Sequence, residues 1–335
     1  MSRATIKDIA AKLSVSASTV SRALRNHPDI SAETTRKVQN MAKKLDYFPD
    51  SLAQGLKGRR TNTIGIIVPE IKHDFFSSVI SGVEDVTYTA GFTIMVCQSN
   101  EDVEREKINI RSLVSNRIAG LLISISQSTV DVSHFNILKK REIPVVFFDR
   151  TNKKITDSQV IVDDYKAAYE ATTHLIQRGY QRIAHLAGPS NISIGLERCS
   201  GYKQALLDNG RTIVSDLIIH GGFRQEDGNS GITNFLKMKN PPDAIFAVND
   251  PVAIGAFRKI KEVGIHVPKD IALVGFSNNP ISSLIDPPLT TVEQPSYEMG
   301  KIAAKLLLEQ IDSDSKTTPG IKKILSTKLL VRKSS

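Results

Sequence analysis

A short polar run near the start of the chain carries the side chains with the clearest chemical use. It combines small residues, hydroxyls and one long cation, namely Ser16, Ala17, Ser18, Thr19, Ser21 and Arg22. A guanidinium can donate two hydrogen bonds to O6 and N7 of one guanine, and short hydroxyl side chains can approach backbone phosphates. A helix that enters the major groove of DNA needs such a face. The run is therefore a candidate DNA-reading surface.

Two short helices joined by a tight turn are predicted to hold this run. Thr5 with Asp8 three residues later forms a capping pair that begins the first helix. Apolar residues then recur on one face of that helix, at Ile6, Ile9, Ala10 and Leu13. Ser16 is expected to cap the second helix, and Ser31 to begin a third helix that completes a small core. The layout is that of a helix-turn-helix, although the spacing alone fits an ordinary helical hairpin equally well.

Positive charge is concentrated in the same segment. Residues 1–60 hold 12 Lys and Arg against 5 Asp and Glu, whereas the rest of the chain holds 32 against 30. Such an asymmetry is the electrostatic footprint of a protein segment that binds a polyanion. It favours double-stranded DNA as the partner of the first segment.

From Thr63 onward, short apolar runs alternate with amphipathic stretches. Buried parallel strands are predicted at 64–68, 93–97, 120–123, 145–148 and 160–162, and again at 183–186, 217–219, 244–248 and 271–274. Helices are predicted near 74–90, 102–116, 133–141, 164–178, 198–210, 226–238, 251–263 and 296–311. The alternation predicts two doubly wound α/β lobes with parallel sheets. Residues 290–292 are expected to cross back to the first lobe, and a final strand is expected near 324–331.

Polar and aromatic side chains follow several of these strands. Ligands of doubly wound sheets bind beyond the carboxyl ends of the strands, so two facing lobes place a site in the crevice between them. The candidates there are Phe75, Phe76, Asp149, Arg198, Asn249, Ser277 and Gln294, with Arg150 next to Asp149 and Asn278 next to Ser277. Each has a structural alternative, because strand-end Asp and Asn often cap the next helix and the two phenylalanines can simply pack between lobes. Asp250 is expected to cap a helix rather than to contact a ligand.

Several motifs resemble the lac/galactose repressor family of bacterial transcription regulators. They are Thr5–Ala10, Val15–Ser16, Thr19–Arg22 and Ser51–Leu56, and the likeness continues through most of the chain. The resemblance implies a homodimer that binds a near-palindromic operator, with Thr5 and the polar run at the DNA. It also implies that a small molecule, usually a sugar, binds a second domain and changes the affinity for the operator. Ser14 departs from the Gly or Asn common at the turn, at a cost of ~1 kcal/mol if the position needs a positive φ.

Residues 50–57 match the hinge helix of that family, which folds when the protein binds DNA. Leu56 occupies the position of the leucine that enters the minor groove at the operator centre, and Ala53 lies one turn earlier on the same face. A segment this short is far below the ~12–15 residues that an isolated helix needs for marginal stability, so folding on DNA is physically consistent. Without the neighbouring motif, a flexible linker with an incidental leucine would be the simpler interpretation.

The same resemblance places five of the candidate side chains at positions that commonly contact the effector: Asp149, Arg198, Asn249, Ser277 and Gln294. Ser277 replaces the Asp usual in the family, and one neutral hydroxyl in place of a carboxylate implies an effector that is differently oriented or not a simple hexose.

The implied architecture is an all-α helix-turn-helix headpiece with a hinge helix, followed by a two-lobed α/β core like that of periplasmic binding proteins. The expected boundaries are 1–49 for the headpiece, 50–61 for the hinge and linker, and 62–335 for the core. Within the core, the N-lobe is expected at about 62–161 and 292–322, and the C-lobe at about 162–291 and 323–335.

Other classes of protein find less support in the sequence. The N-terminus is polar and no apolar stretch approaches the ~20 residues of a membrane span, so no membrane partner and a bacterial cytoplasmic location, at the nucleoid when bound to DNA, are expected. Two cysteines and seven scattered histidines lack metal-ligand spacing, and no nucleophile elbow or phosphate loop is present. No catalytic residue, metal or cofactor is therefore expected. The tail lacks leucine heptads, which favours a dimer.

Three functional hypotheses remain. The favoured one is a transcription regulator, expected to be a repressor, in which an effector shifts the balance between two lobe orientations. A sugar-binding protein with no role at DNA leaves residues 1–60 unexplained. A sugar-modifying enzyme lacks an identifiable acid–base pair or nucleophile. The sequence leaves open whether the effector releases the protein from DNA or tightens its binding.

Overall fold

The chain divides into two units, Met1–Thr61 and Asn62–Ser335. In this computed structural model the described residues are 4–24, 26–47, 61–313 and 320–335. The predicted hinge residues Ala53 and Leu56 lie outside the described residues.

Three short helices form the described part of the first unit: α1 (Ile6–Leu13), α2 (Ala17–Ala23) and α3 (Ala32–Lys44). Their apolar faces meet in one core of Ile9, Ala10, Val20, Ala23, Val38 and Ala42. Thr5 donates from both its backbone N and its Oγ1 to Asp8 Oδ2, at 2.7 Å each, as the capping pair predicts. Ser16 Oγ accepts from Thr19 N at 3.0 Å and begins α2. Each of the three helices is too short to be stable alone, so their stability depends on packing against one another around this small core.

Ser14 ends α1 in the left-handed region, with φ 53° and ψ 40°. The turn does require a positive φ, so Ser14 bears the conformational cost expected for a residue that has a Cβ. Its backbone N–H bonds to the carbonyls of the last helical turn, which fixes the angle at which the chain leaves α1 and enters α2.

The second unit contains two six-stranded sheets. The strands are β1 (Thr63–Val68), β2 (Thr93–Gln98), β3 (Gly120–Ile123), β4 (Val145–Phe148), β5 (Ser158–Val162), β6 (Ile183–Ala187), β7 (Ile218–His220), β8 (Ala244–Ala247), β9 (Ala272–Phe276), β10 (Thr290–Glu293), β11 (Lys322–Leu325) and β12 (Lys328–Leu330). The first sheet has the order β11-β5-β4-β3-β1-β2 and the second β12-β10-β9-β8-β6-β7. All pairs are parallel except β10 with β12. Each sheet forms the centre of one lobe.

Helices cover the faces of both sheets. They are α4 (Asp74–Thr89), α5 (Val103–Ser115), α6 (Asn136–Lys140), α7 (Asp164–Gln177), α8 (Ser193–Asp208), α9 (Gln225–Phe235), α10 (Asp250–Glu262) and α11 (Ser296–Asp312). The inner strands β1, β3, β4, β6, β8 and β9 are almost entirely buried, which is why they read as continuous apolar runs in the sequence. The edge strands β2, β7, β11 and β12 are more exposed. No helix within the described ranges is long and apolar enough to cross a bilayer.

The chain passes between the lobes three times, and two of these crossings differ from the prediction. Residues 290–292 do not return to the first lobe; they form β10, which pairs with β9 in the second sheet through Thr290 and Val274. The expected final strand is two short strands, β11 in the first sheet and β12 in the second. The lobe boundaries therefore lie just after Val162, Glu293 and Leu325 rather than at 292 and 323. Thr290 and Thr291 are fully buried, and their hydroxyls hydrogen-bond within the second lobe, which keeps β10 there.

Glycines let α4 and α11 pack at close range in the first lobe. A Cβ at Gly82 would meet the carbonyl oxygen of Tyr297, and one at Gly300 would meet the carbonyl oxygen of Val79, both well inside van der Waals contact. Backbone atoms cannot swing away as the end of a flexible side chain can. The register of the two helices is therefore fixed by this pair of glycines.

Replacing Gly82 with alanine should lower the free energy of unfolding of the second unit by roughly 1–3 kcal/mol, because the added methyl forces two backbones apart. Helix propensity alone favours alanine by about 1 kcal/mol, so the measured loss is the net of two opposed effects. Urea unfolding of the full chain measures it. Ser81→Ala, at the exposed neighbouring position, is the matched control and should change stability by less than about 0.5 kcal/mol. A Gly82 variant as stable as the control would show that the helices can separate freely.

Candidate functional site

All seven side chains predicted at the crevice line one cavity between the lobes: Phe75, Phe76, Asp149, Arg198, Asn249, Ser277 and Gln294. The cavity is narrow in this structure: about 50 Å³ admits water-sized molecules, within an empty space of about 550 Å³ that includes open solvent at its mouth. The remaining lining residues are His73, Asp74, Arg150, Ile194, Phe223, Pro251 and Asn279. The fold thus brings together, at the carboxyl ends of the strands, residues that are up to 219 positions apart in the sequence, from Phe75 to Gln294.

Arg198 is held rigidly on the second lobe. It lies inside α8, which begins at Ser193, so it does not open the helix as the sequence pattern suggested. Its Nε and Nη2 donate to Asp164 Oδ1 at 2.8 and 2.7 Å, and its Nη1 donates to the carbonyl of Val248. The guanidinium also lies 3.5 Å from the centroid of the Phe276 ring. With three groups orienting it, the guanidinium has little freedom to turn away from the cavity.

Asp149 is a buried carboxylate with incomplete partners. It follows β4 with φ 59°, and its nearest polar neighbours are Ser124 Oγ at 3.4 Å and Arg150 Nε at 3.7 Å. Burial raises the pKa of Asp149 to about 6, and the positive charges of Arg150 and Arg198 only partly oppose this effect. A carboxylate in this state has free lone pairs for a ligand that enters the cavity.

The pH dependence of stability should report this burial. The pKa of Asp149 is about 6 in the folded chain against an ordinary 3.8. Between about pH 4 and pH 6, therefore, the folded state holds a proton that the unfolded state has already lost. Its contribution to stability is therefore present below pH 4 and is lost as the pH rises through 6. Asp149→Asn should consequently be more stable than the parent by roughly 3 kcal/mol at pH 7 and nearly equal to it at pH 4. Asparagine also tolerates the left-handed backbone of this position.

Urea unfolding at the two pH values, in the absence of any ligand, measures the effect. Asp164 and Asp250 are also buried, and burial raises their pKa values too, so only the difference between variant and parent isolates Asp149. An equal offset at pH 4 and pH 7 would mean that Asp149 does not titrate in this window.

Arg150 lines the cavity between the lobes, at the strand end where the sequence places it beside Asp149. Its Nη1 donates to both oxygens of Glu101, at 2.7 and 2.9 Å, and its guanidinium lies 4.1 Å from the Phe223 centroid and 5.6 Å from that of Phe76. Phe76 belongs to the first lobe and Phe223 to the second. The position of Arg150 directly after a strand end was a signal in the sequence, but Glu101 and Phe223 are too distant in sequence for its contacts to be foreseen.

Asn249 both caps a helix, which was the alternative role considered for it, and lines the cavity. Its Oδ1 accepts from Val252 N at 2.8 Å and caps α10, while its Nδ2 donates to the carbonyl of Phe223 at 3.0 Å. Asp250 is not the cap that the sequence suggested. Its carboxylate is buried behind the cavity and accepts from Ser282 Oγ and Thr291 Oγ1 at 2.7 and 2.6 Å. Asp250 thus ties β10 and the loop after β9 to the start of α10.

Ser277 and Gln294 enter the cavity from the ends of β9 and β10. Ser277 has φ 116°, and its N–H bonds to the carbonyl of Val292 at 2.7 Å, so a strained backbone places its side chain. Gln294 is buried on the second crossing between the lobes, and its Nε2 has no hydrogen-bond partner among the described residues. An unpaired buried amide is costly unless a ligand or water satisfies it.

The two predicted aromatic residues differ in accessibility. Phe76 is 3% exposed and packs into the core of the first lobe, whereas Phe75 is only partly buried and meets it edge-on at 5.2 Å between centroids. Most of the surface of the Phe76 ring is therefore buried by packing, which was the alternative role considered for that residue. Phe75 offers more ring surface to a ligand.

An ion pair bridges the lobes beside the cavity. Arg224, on the second lobe, donates from Nε and Nη2 to Glu70 Oε1 at 2.9 and 2.7 Å. Glu70 follows β1 on the first lobe and is 2% exposed. Burial acts to raise the pKa of Glu70, but the hydrogen bonds from Lys72 and Arg224 outweigh it and hold the pKa below its usual value. The ion pair therefore favours the lobe orientation seen in the structure.

The candidate DNA-reading residues share the open face of α1 and α2. Ser16, Ala17, Ser18 and Arg22 are exposed, and Thr19 and Ser21 are half-buried. Several hydroxyls are already used within the fold, since Ser16 Oγ pairs with Ser18 Oγ and Thr19 Oγ1 at 2.7 and 2.8 Å. Thr5 is exposed as well, but its hydroxyl donates to Asp8.

Arg22 projects from this face with 57% of its side chain exposed, and one Nη lies 3.8 Å from Asp29. Such an exposed pair contributes little to stability, so the guanidinium remains available. In the described part of the chain, no group of three or more His, Cys, Asp or Glu side chains is arranged to hold a metal ion.

Two family models match the chain. Residues 5–50 match the model described as bacterial regulatory proteins, lacI family, and residues 61–333 match periplasmic binding proteins and sugar binding domain of LacI family. The chain is 36% identical over 313 residues to the HTH-type transcriptional regulator RegA of Clostridium acetobutylicum, covering 92% of this chain and 93% of that protein. It is 34% identical over 309 residues to the HTH-type transcriptional repressor CytR of Escherichia coli K12, covering 92% and 90%.

Two solved structures extend the likeness to the whole fold. The lac repressor dimer bound to operator and the anti-inducer ONPF has a TM-score of 0.85 at 26% identity and covers 99% of each chain. The complex of the transcriptional regulator CelR with cellobiose has a TM-score of 0.76 at 29% identity and covers 99% of this chain and 100% of that one.

Proposed function

The chain belongs to the LacI family of bacterial regulatory proteins, and on that premise we propose that it is a transcriptional repressor controlled by a small carbohydrate effector. One observation carries the proposal: a cavity between two lobes, lined by polar and aromatic side chains of both, is present in the same chain as a helix-turn-helix with an exposed Arg22. The family relatives named as repressors, and the solved structures with operator and with cellobiose, support both halves of it.

The DNA-binding half acts as a homodimer on a near-palindromic operator. Two copies of α2 enter two half-sites of the major groove, where Arg22 reads a guanine and the small residues beside it permit close approach. Thr5 and Ser16 contribute to positioning on phosphates. Leu56, with Ala53 beside it, enters the minor groove at the centre of the operator and opens a base step there.

The effector half converts ligand binding into a change of lobe orientation. A ligand in the cavity contacts both lobes at once, through Asp149 on the first and Arg198 on the second. It therefore binds one orientation better than another, and only that differential affinity can shift the balance between them. The bridging pair of Glu70 and Arg224 biases the same balance in the unliganded chain.

Further parts of the proposal follow from the same reasoning. The protein acts in the bacterial cytoplasm, at the nucleoid when bound, and has no catalytic role. Asp149, Arg198, Asn249, Ser277 and Gln294 contact the effector, with Phe75 offering a ring to an apolar face of it and Phe76 supporting that ring.

Selection of bound sequences from a random double-stranded DNA library by the full-length chain tests the DNA half. A near-palindrome with two half-sites is expected, and enrichment of no sequence would overturn the proposal. Measurement of the affinity for that operator with and without sugars then shows whether the effector releases the protein or tightens its binding. Turnover of a sugar without operator binding would instead identify an enzyme.

A further inference from the structure

One edge of the second sheet carries an excess of positive charge. Because β8, β6 and β7 are neighbours and run parallel, the loops that precede them meet at the same edge, at the amino ends of the strands. These loops, residues 178–182, 209–217 and 236–243, hold five Lys and Arg against two Asp. The chain beyond residue 60 is nearly balanced, at 32 against 30. We call the five cations the amino-edge patch: Arg178, Arg182, Arg211, Lys237 and Lys239.

Hydrogen bonds join the three loops of the amino-edge patch to one another. Arg211 Nη1 donates to the carbonyl of Gln181 at 2.9 Å, which ties the loop before β7 to the loop before β6. Arg182 Nε donates to the carbonyl of Asn240 at 2.7 Å, which ties the loop before β6 to the loop before β8. Asp243 accepts from the backbone N of Gln181 and of Arg182, at 2.7 and 2.8 Å. The loops therefore form one platform that holds the cations at fixed positions.

The charge of the patch is not neutralised within the fold. None of its five cations forms an ion pair with any described residue. Arg182 and Arg211, which are half-buried, bond to neutral carbonyls, and the other three side chains are exposed. Asp208, at the end of α8, accepts from Gln204 Nε2 at 2.7 Å. The helices α7, α8 and α9 also end at this edge, but each helix end adds only about half a negative charge.

Duplex DNA fits the dimensions and the chemistry of this patch. Three strands span about 10 Å, and a duplex carries one negative charge for every ~1.7 Å of its axis, so about six phosphates face such an edge. No large apolar side chain of the three loops is exposed. The core of a protein interface is largely apolar, and a lipid surface requires apolar anchors, whereas interfaces with DNA are polar and strongly positive.

We propose that the amino-edge patch is a second DNA-binding site, which holds the phosphate backbone of duplex DNA outside the operator without preference for sequence. The patch lies at the edge of the second sheet opposite the carboxyl ends of its strands, where the effector cavity is. Effector and DNA can therefore occupy their sites on this lobe together. The inference goes beyond the proposed function, which places DNA at the headpiece and the hinge alone. A dimer bound to its operator keeps two such patches for a further stretch of duplex.

A binding experiment with two labelled duplexes tests the second site on the full-length chain. The selected operator, no longer than the site itself, is added in excess so that every headpiece is occupied, and a duplex of unrelated sequence with a different label is then titrated. The complex should keep its operator and bind the second duplex with a Kd of about 10⁻⁶ to 10⁻⁴ M at physiological salt. Its affinity should fall with salt at a log–log slope of about −0.9 per phosphate neutralised. The proposal is overturned if the second duplex does not bind, or binds only by displacing the operator.

A triple variant assigns the binding to the patch. Arg178→Glu, Lys237→Glu and Lys239→Glu together reverse its three exposed charges and leave in place the bonds that join the loops. The variant should bind the second duplex at least tenfold more weakly, with a salt slope lower by roughly 3, because three phosphates lose their cations. Its affinity for the short operator should change by less than about threefold, since that duplex is bound by the headpiece. An unchanged affinity for the second duplex would contradict the assignment.

A matched control separates the patch from the net charge of the protein. Lys305→Glu, Lys322→Glu and Lys323→Glu make the same change of charge at exposed positions of the first lobe, and should leave binding of the second duplex within about threefold of the parent. An equal loss in both triple variants would overturn the patch as a site.

A competition experiment distinguishes DNA from an acidic protein as the partner. Polyglutamate of equal total charge should displace the second duplex at least tenfold less effectively than unlabelled duplex does. More effective displacement by polyglutamate would overturn DNA as the partner. Failure to select any operator counts against the proposed function, whereas failure of the second duplex to bind counts against the amino-edge patch alone.

Discussion

Replacing Arg198 with methionine is expected to abolish effector binding and to lower the free energy of unfolding of the second unit by about 3–5 kcal/mol. The guanidinium is 2% exposed and satisfies Asp164 and the carbonyl of Val248. Methionine fills a similar volume against the Phe276 ring, so the loss comes from the uncompensated carboxylate rather than from a cavity. Urea unfolding gives the stability, and calorimetric titration with a sugar that raises the midpoint of thermal unfolding of the parent chain gives the binding.

A second variant separates these two effects. Arg198→Met with Asp164→Asn removes both charges, and it should recover most of the lost stability because a buried ion pair can be replaced at little net cost. Effector binding should stay abolished, since the donors aimed into the cavity are still missing. Recovery of binding together with stability would mean that Arg198 supports the fold and does not contact the effector. Unchanged stability in the single variant would contradict the buried geometry itself.

The sequence predicted the lobes well because burial on both faces leaves a strong signal. Strands such as Ile64–Val68 and Ala244–Ala247 are apolar at nearly every position, and only a fully covered parallel sheet permits that. The prediction that residues 290–292 return to the first lobe was wrong because this segment lacks such an apolar signal. Thr290 and Thr291 are polar, so their pattern does not reveal the side-chain hydrogen bonds that hold β10 in the second sheet.

The candidate site was predictable to the same extent. The carboxyl end of a strand can be located in a sequence, and that rule alone placed Asp149, Asn249 and Ser277 at the cavity they line. What a side chain bonds to cannot be located in this way. The pairing of Arg150 with Glu101 depends on two loops that meet only after the sheet has formed.

In the headpiece, too, the sequence predicted the helices but not the hydrogen-bond partners of the side chains. The pattern of apolar residues predicted all three helices, and the positive φ at Ser14 agrees with the expectation for the turn. The outward hydroxyls, however, are less free than their exposure suggests, because Ser16 is occupied by Ser18 and Thr19. A hydroxyl that caps a helix has less to offer a phosphate. We therefore expect the largest share of base recognition to fall to Arg22.

Arg22→Ala is accordingly expected to weaken binding to the selected operator by roughly 1–3 kcal/mol per half-site, while binding to unrelated DNA changes little. The preference for guanine should be lost at one base pair of each half-site, because the alanine variant cannot form the two hydrogen bonds that distinguish guanine from adenine. Since the dimer carries two copies, the total loss on a full operator should approach twice that on a half-site. Titration of labelled operator and of single-base variants, at several salt concentrations, measures both quantities.

Lys37→Ala is the matched control for this substitution. Lys37 lies on α3, has 65% of its side chain exposed and pairs with Glu33, so its replacement removes the same unit of charge away from the reading face. It should weaken binding slightly and equally on all sequences, without changing the preference at any base pair. If Arg22→Ala also weakens binding equally on all sequences, and lowers the dependence on salt by about one ion, then Arg22 binds a phosphate and the bases are read through the deformation of the DNA instead.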